Sequence, residues 1–324
     1  MSVATLSPIP SGTLPLSASA PGKCIIFGEH AVVHGAPELA FAIDLATQVF
    51  VAEARETRLN SDAEAGSRNA YFRSALELEW RGGPPVAVRS VSRIPKAAGL
   101  GSSAAFAAAL SAAFGSATGG VDRPALAQRA FEVERGAQGV GSPGDTSTSV
   151  AGGFVAVNAD RGEPLWTVRA ADRSWQVRRV ADPGWVWVVA YSGVPRATAD
   201  AVRAVGEYLA GPQGPKTLEE FRRVASEGIE AVARGDRSTV ARLLRENQGL
   251  LSRVGVSHPR LEALIDAAAP ASEASKLTGA GRGGSVLCLP IPGKETELVR
   301  RLARAGALPF VVRPAERGAA LVSG

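Results

Sequence analysis

Cysteine, histidine and lysine are scarce in this chain of 324 residues. The two cysteines, Cys24 and Cys288, lie in apolar runs, so we predict two buried thiols rather than a disulfide framework. The three histidines and two cysteines show no paired spacing, which argues against a zinc site. No run of about 18 apolar residues occurs, so no membrane span is predicted.

The N-terminal residues and the net charge of the chain indicate where the protein is located and what kind of ligand it binds. Residues 1–22 hold four prolines and no charged residue, and they lack the basic start and continuous apolar core of a signal peptide. We therefore expect a cytoplasmic protein. The net charge is +5, and nearly all the cations are scattered arginines. Because only three tyrosines are present to stack on bases, an anionic small molecule is favoured over nucleic acid.

Hydrophobic periodicity predicts an α+β protein of two domains, residues 1–183 and 184–324, with the boundary at the turn Asp182–Pro183–Gly184. Predicted strands cover residues 23–27, 47–54, 86–91, 153–158, 164–169, 174–180, 185–191, 285–290 and 308–313. Predicted helices cover residues 102–115, 123–138, 197–210, 217–234, 236–253, 258–269 and 293–305.

The stretch PKAAGLGSSAAFAAAL, residues 95–110, places flexible glycines directly before an alanine-rich helix. A helix N-terminus exposes unpaired N–H groups and the positive end of the helix dipole. Glycines there let the backbone approach a ligand closely, so the stretch is a candidate phosphate-binding loop. A tight turn capped by serine is the alternative interpretation.

Two further glycine-rich stretches are APGKCIIFGEHAVVHG, residues 20–35, and KLTGAGRGGSVLCL, residues 276–289. Three of the five lysines, Lys23, Lys96 and Lys276, lie in or beside these stretches and the loop, which suggests selected positions. The plainer alternatives are a solvated strand end for Lys23, a structural histidine for His30 and a glycine hairpin for the last stretch.

Together, in this order, the three stretches resemble the motifs of the GHMP kinase superfamily. The first stretch is most similar to the mevalonate kinase branch, and GSPGDTSTSVAGG, residues 141–153, is similar to its archaeal type. The resemblance implies an N-terminal domain like domain 2 of ribosomal protein S5 and a ferredoxin-like C-terminal domain. It also implies phosphorylation of the primary hydroxyl of mevalonate by ATP, in isoprenoid precursor synthesis.

The resemblance also assigns roles to residues. Asp145 matches the catalytic base, with Lys23 as its charge partner. Ser103 and Glu134 match the residues that bind Mg²⁺, although a solvated helix face is the alternative for Glu134. The ATP phosphates would contact the loop residues Lys96, Ala98, Gly99, Leu100, Gly101, Ser102, Ser103 and Ala104. The substrate would contact Glu29, His30, Arg196, Thr198, Gly279 and Ala280.

Several alternatives stay open at this point. The acceptor of a sibling kinase would be phosphomevalonate, a sugar or the 3-hydroxyl of mevalonate, and a non-catalytic sensor on the same fold is a further alternative. The expected partners are ATP and a small-molecule substrate, without nucleic acid or membrane, and a homodimer is left open.

Overall fold

The computed structural model describes residues 14–60, 68–120, 122–139, 141–195 and 198–322. Its strands build two sheets. The first contains β1 (Leu16–Phe27), β2 (Glu38–Glu53), β3 (Arg58–Leu59), β4 (Val86–Ser92), β5 (Phe154–Val157), β6 (Glu163–Arg169), β7 (Ser174–Val180) and β12 (Ala320–Leu321). The second contains β8 (Trp187–Tyr191), β9 (Ser272–Thr278), β10 (Ser285–Pro290) and β11 (Leu308–Val312).

The helices follow the same order along the chain. They are α1 (Ala70–Glu79), α2 (Ser102–Ala117), α3 (Arg123–Gln138), α4 (Gly144–Ala151), α5 (Thr198–Ala210), α6 (Gly214–Ala233), α7 (Arg237–Arg253), α8 (Pro259–Ala268) and α9 (Glu295–Arg304). A short 3₁₀ turn, Ala31–His34, follows β1. Among the described residues, no helix combines the length and the apolar character needed to cross a membrane.

The long strand β2 organises the first sheet. It pairs with β1 on one side, and on the other side it pairs first with β5 and then with β4. The sheet order is β12-β1-β2-β5-β7-β6, with β4 on β2 and β3 parallel to β4. The end of β1 and the start of β2 consist of buried residues, so this part of the sheet lies inside the protein.

The alanine-rich helix α2 packs at the centre of the N-terminal half. Its residues from Ala104 to Gly115 are all buried, and it contacts β1, β2, α1 and α3. Because its side chains are small, neighbouring elements can approach the helix closely on every face. A helix that is apolar on all faces is typically buried in the protein. The helix therefore holds its N-terminus at a fixed place beside β1.

A common core joins the two sheets. The ring of Phe41 on β2 stacks on Phe154 of the same sheet and on Trp187 of β8, with centroids 5.3 and 5.5 Å apart. The second sheet has the order β11-β8-β10-β9. The predicted domain boundary lies in the connection between β7 and β8, which belong to different sheets; the boundary itself stays a prediction.

Several elements were missed or placed wrongly. Strands β1 and β2 begin at Leu16 and Glu38 rather than at residues 23 and 47, and the short strands β3 and β12 were not predicted. Residues 70–79 form α1, and residues 272–278, SEASKLT, form β9 although they carry few strand-forming side chains. Residues 144–151, for which no helix or strand was predicted, form α4, and Asp145 lies in its first turn. The serine- and threonine-rich α4 has low helix propensity, and burial of all its residues except Asp145 outweighs that propensity. The two thiols are free and buried, as predicted.

Candidate active site

The loop before α2 has the backbone conformation expected of a phosphate-binding turn. Gly99 and Gly101 adopt φ values of 84° and 73°, and Ala97 adopts 55°, although alanine disfavours this left-handed region. Gly101 directly precedes the first helical residue, Ser102. The unpaired N–H groups of the helix therefore begin where the glycines leave the backbone accessible.

The same loop lines a cavity of about 600 Å³. Of the residues predicted to contact phosphates, the following line it: Lys96, Ala98, Gly99, Leu100, Gly101, Ser102 and Ser103. Ala104 is instead buried inside the helix. We call this space the loop cavity.

A second cleft, of about 980 Å³, lies beside the loop cavity. It brings together seven residues predicted for the site from distant parts of the sequence: Lys23, Glu29, His30, Glu134, Asp145, Gly279 and Ala280. Tyr71 lines both spaces, so they adjoin at this side chain. We call the second space the acceptor cleft.

An ion pair lies in the wall of the acceptor cleft. Lys23 Nζ is 2.7 Å from Asp145 Oδ1, and the side chains are 1% and 27% exposed. Lys23 is held at its backbone, where its N–H donates to the carbonyl of Leu100 over 3.0 Å. The loop before α2 is thus hydrogen-bonded to the residue that carries the buried ammonium group. Lys23 is therefore not a solvated strand end.

Glu29 is tied to the C-terminal half of the chain. Its carboxylate forms a fully buried ion pair with Lys276 of β9 and accepts a hydrogen bond of 3.2 Å from Asn247 Nδ2 of α7. Burial lowers the pKa of Lys276, and the charge of Glu29 opposes this shift. Sequence reasoning missed both partners, although the rarity of lysine was a usable signal for Lys276.

His30 follows Glu29 with a left-handed φ of 62°. Its Nε2 lies 2.9 Å from the carbonyl oxygen of Ala280. Because burial lowers the pKa of His30 below its usual 6.5, the imidazole is neutral at pH 7 and donates Nε2–H to that carbonyl. Glu29 and His30 therefore join the first glycine-rich stretch to the third.

The third glycine-rich stretch also contacts the loop before α2. Ser285 Oγ donates to the carbonyl of Ala98 over 2.8 Å. A β-carbon on Gly99 would lie 3.0 Å from the carbonyl oxygen of Thr278, and a β-carbon on Gly279 would lie 3.0 Å from that of Gly99. All three stretches therefore meet in one place. The third stretch is a glycine hairpin, because β9 and β10 pair antiparallel on either side of it, and Gly279 and Ala280 of this hairpin also line the acceptor cleft.

Glu134 is buried on α3, while its neighbours Glu132 and Arg135 are exposed. Its Oε1 accepts a hydrogen bond of 3.1 Å from Gln138. The alternative of a solvated helix face is therefore wrong for Glu134. The described residues contain no group of three or more histidine, cysteine or acidic side chains arranged to hold a metal.

Two predicted substrate contacts are not tested by this geometry. Arg196 lies outside the described residues, and Thr198 is described only by its backbone, as the first residue of α5. Their roles stay predictions.

Comparison with known proteins places this arrangement in a family. The pattern of the GHMP kinases N terminal domain matches residues 69–153, and that of the GHMP kinases C terminal matches residues 229–308. The chain belongs to the GHMP kinase family, which confirms the resemblance of its three glycine-rich stretches. It is therefore an ATP-dependent small-molecule kinase.

Among its relatives are proteins named mevalonate kinase. One from Methanothermobacter thermautotrophicus is 34% identical and covers 89% of this chain and 94% of that protein. Another, from Thermococcus gammatolerans, is 30% identical, and the match covers 93% of this chain and 96% of that protein. A crystal structure of L. major mevalonate kinase in complex with R-mevalonate matches with a TM-score of 0.78 at 21% identity, over 97% of this chain and 99% of that chain. This structural match confirms the predicted two-domain fold.

Proposed function

We propose that this protein transfers the γ-phosphoryl group of ATP to the primary hydroxyl of mevalonate, which gives 5-phosphomevalonate for isoprenoid precursor synthesis. The observation that carries the proposal is the 2.7 Å pair of Lys23 and Asp145 in the wall of the acceptor cleft, next to the loop cavity. The curated relatives named mevalonate kinase support this choice of acceptor.

In this proposal Asp145 is the base. A free carboxylate oxygen takes the proton of the acceptor hydroxyl while the alcohol oxygen bonds to the γ-phosphorus and ADP leaves. Lys23, whose ammonium lies against the other oxygen, stabilises the negative charge that develops on the alcohol oxygen. Because carboxylates in general are weak bases, positioning supplies much of the rate.

The loop cavity would hold the phosphates of ATP. Backbone N–H groups from Gly99 to Ser103 would bind the phosphate oxygens at the start of α2, where the helix dipole favours negative charge. Ser103 and Glu134 present a hydroxyl and a buried carboxylate, which are the hard oxygen donors that Mg²⁺ prefers. Bound there, Mg²⁺ would neutralise phosphate charge. Lys96, which lines the same cavity, adds a cation.

The acceptor cleft would hold mevalonate, a small anionic hydroxy acid. We assign His30, Gly279 and Ala280 to its wall, with Glu29 beside them, and we assign Arg196 and Thr198 to the acceptor carboxylate. A guanidinium binds a carboxylate through two parallel hydrogen bonds, which suits Arg196 for this role. The domain limits, 1–183 and 184–324, and a cytoplasmic location, where ATP is available, are part of the same proposal.

The test is a coupled assay of ADP release from Mg-ATP with mevalonate, followed by phosphorus NMR of the product. Turnover with a phosphate ester at the primary carbon is expected. An acceptor panel of phosphomevalonate, galactose and homoserine separates the sibling kinases, and a phosphate on the tertiary carbon would identify a 3-kinase. Binding of ATP without turnover of any of these acceptors would overturn the proposed acceptor and favour the non-catalytic sensor as the alternative.

A further inference from the structure

Glu38, the first residue of β2, is a buried carboxyl group that the proposed reaction does not use. It lines the acceptor cleft, yet it is only 3% exposed. Its Oε1 has no hydrogen-bond partner among the described residues. A buried polar atom without a partner is costly, so its presence in the wall of a ligand cleft calls for a function.

The neighbouring helix leaves room for this carboxyl group. A β-carbon on Gly144, the first residue of α4, would lie 1.6 Å from Glu38 Oε1 and 2.8 Å from its carboxyl carbon. Gly144 does not adopt a positive φ, so glycine is required here for space and not for backbone conformation. Since Asp145 is the next residue, the Glu38 carboxyl lies beside the backbone that carries the proposed base.

The charges around Glu38 determine its protonation. Burial raises its pKa well above the usual value, and the charge of Asp145 on α4 adds to the effect. Glu29 after β1 and Glu134 on α3 raise the pKa further, and Lys23 on β1 opposes them. Burial and the neighbouring carboxylates therefore favour the protonated form of this carboxyl group. A protonated carboxyl donates one hydrogen bond and does not repel an anionic acceptor.

We infer that Glu38 is a further specificity-determining residue of the acceptor site, and that its carboxyl donates a hydrogen bond to an oxygen of a hydroxy acid. The inference rests on the proposed function. Because Oε1 is packed against Gly144, we assign the donated hydrogen bond to Oε2, the other oxygen of the carboxyl group. An acceptor without a matching oxygen leaves this donor unsatisfied, and this difference is a strong source of discrimination in buried sites.

The first experiment compares steady-state kinetics of the wild type, Glu38→Ala and Glu38→Gln. Removal of the donor in Glu38→Ala is expected to raise KM for mevalonate about tenfold, while KM for ATP stays within about twofold. Glu38→Gln keeps an N–H donor, so it is expected to recover most of the loss, to about threefold above the wild type. An unchanged acceptor KM in Glu38→Ala, or an equal rise in both KM values, would overturn the inference.

Failure of the proposed function would give a different experimental result from failure of the inference about Glu38. If the wild type does not phosphorylate mevalonate but uses another acceptor from the panel, the proposed function fails and the three proteins are compared with that acceptor. If no acceptor is turned over, the readout is the rise in Tm caused by mevalonate. A rise in the wild type that is lost in Glu38→Ala supports the inference, and no rise in either contradicts it.

A second experiment tests the fit between Glu38 and Gly144 without any substrate. Gly144→Ala is expected to lower Tm, and addition of Glu38→Ala is expected to restore most of it, because the shorter side chain removes the clash. Gly249→Ala is the control, since nothing lies within 4 Å of a β-carbon at this helical glycine. If Gly144→Ala alone leaves Tm unchanged, Glu38 does not occupy this space and the inference is wrong.

Discussion

The α-carbon of Gly101 lies against the aliphatic part of Lys23, so that a β-carbon there would come within 2.8 Å of Lys23 Cγ and 3.2 Å of its Cε. The last glycine of the loop before α2 is therefore also the surface that holds the buried lysine in place. Nζ of this lysine contacts Asp145. Lys23 therefore contacts both Gly101, which lines the loop cavity, and Asp145, which lines the acceptor cleft.

Gly101→Ala tests this connection. The new methyl group is expected to displace Lys23 and lower kcat on the order of 100-fold, since small misplacements of reacting groups have effects of this size. Gly120→Ala is the matched control. Its φ of 84° carries similar backbone strain, but nothing lies within 4 Å of the added carbon, so kcat should be unchanged. An equal loss of kcat in both variants would show that strain alone is responsible.

Asp145→Asn tests the proposed base. The amide keeps the shape of the side chain but accepts no proton, so kcat is expected to fall about 100- to 10,000-fold. Affinity for ATP, measured by equilibrium binding, should stay within about twofold because the carboxylate lies in the other space. Asp160→Asn, at an exposed position, is the control. Comparable losses of kcat and ATP affinity would instead indicate a structural role for Asp145.

Much of the site could be predicted because its residues lie in continuous motifs. The glycine-rich stretches around Lys23, Gly99 and Gly279 are each recognisable locally, and the structure brings them together. Helix α2 could also be predicted from the sequence, since alanine favours helix and the preceding glycines mark its start. The family and the two-domain fold followed from these motifs.

The parts that could not be predicted depend on contacts between distant segments. Asn247 lies in an amphipathic helix where nothing local distinguishes it from other polar residues, and its role appears only where α7 meets Glu29. Strand β9 carries serines and a lysine, and it is a strand because β10 pairs with it. Glu38 looks like an ordinary surface residue until Gly144 and the cleft surround it.

The buried pair of Glu29 and Lys276 predicts a non-additive effect on stability. Lys276→Met leaves the Glu29 carboxylate buried without its cation, which is expected to cost about 3–5 kcal/mol of unfolding free energy. Addition of Glu29→Gln removes the isolated charge and should recover most of this loss. Urea unfolding of both single variants and the double variant measures the coupling.

The exposed pair of Arg203 and Asp200 is the control for that cycle. Its atoms are 2.7 Å apart, but the side chains are 68% and 53% exposed. Arg203→Met is therefore expected to cost less than about 1 kcal/mol. If Lys276→Met costs no more than Arg203→Met, the ion pair does not join the two halves of the chain.

Glu79 predicts how stability depends on pH. Burial raises its pKa to about 7, although Ser111 Oγ donates to its carboxylate and the charge of Arg129 favours ionisation. In the unfolded chain this carboxyl titrates near its ordinary pKa of 4.5. The folded state thus binds the proton more tightly. The resulting stabilisation is complete below about pH 4.5 and is lost as the pH rises through about 7.

Glu79→Gln removes this dependence, because the amide stays neutral at every pH. Between pH 4.5 and 7 the unfolding free energy of the wild type is expected to fall relative to that of the variant, by on the order of 3 kcal/mol in total, since a tenfold change in proton affinity is worth about 1.4 kcal/mol. Guanidinium unfolding at half-unit steps from pH 4 to 8 measures the difference. Parallel curves for the wild type and Glu79→Gln would contradict this prediction, and Glu77→Gln, at an exposed position of the same helix, is the control variant.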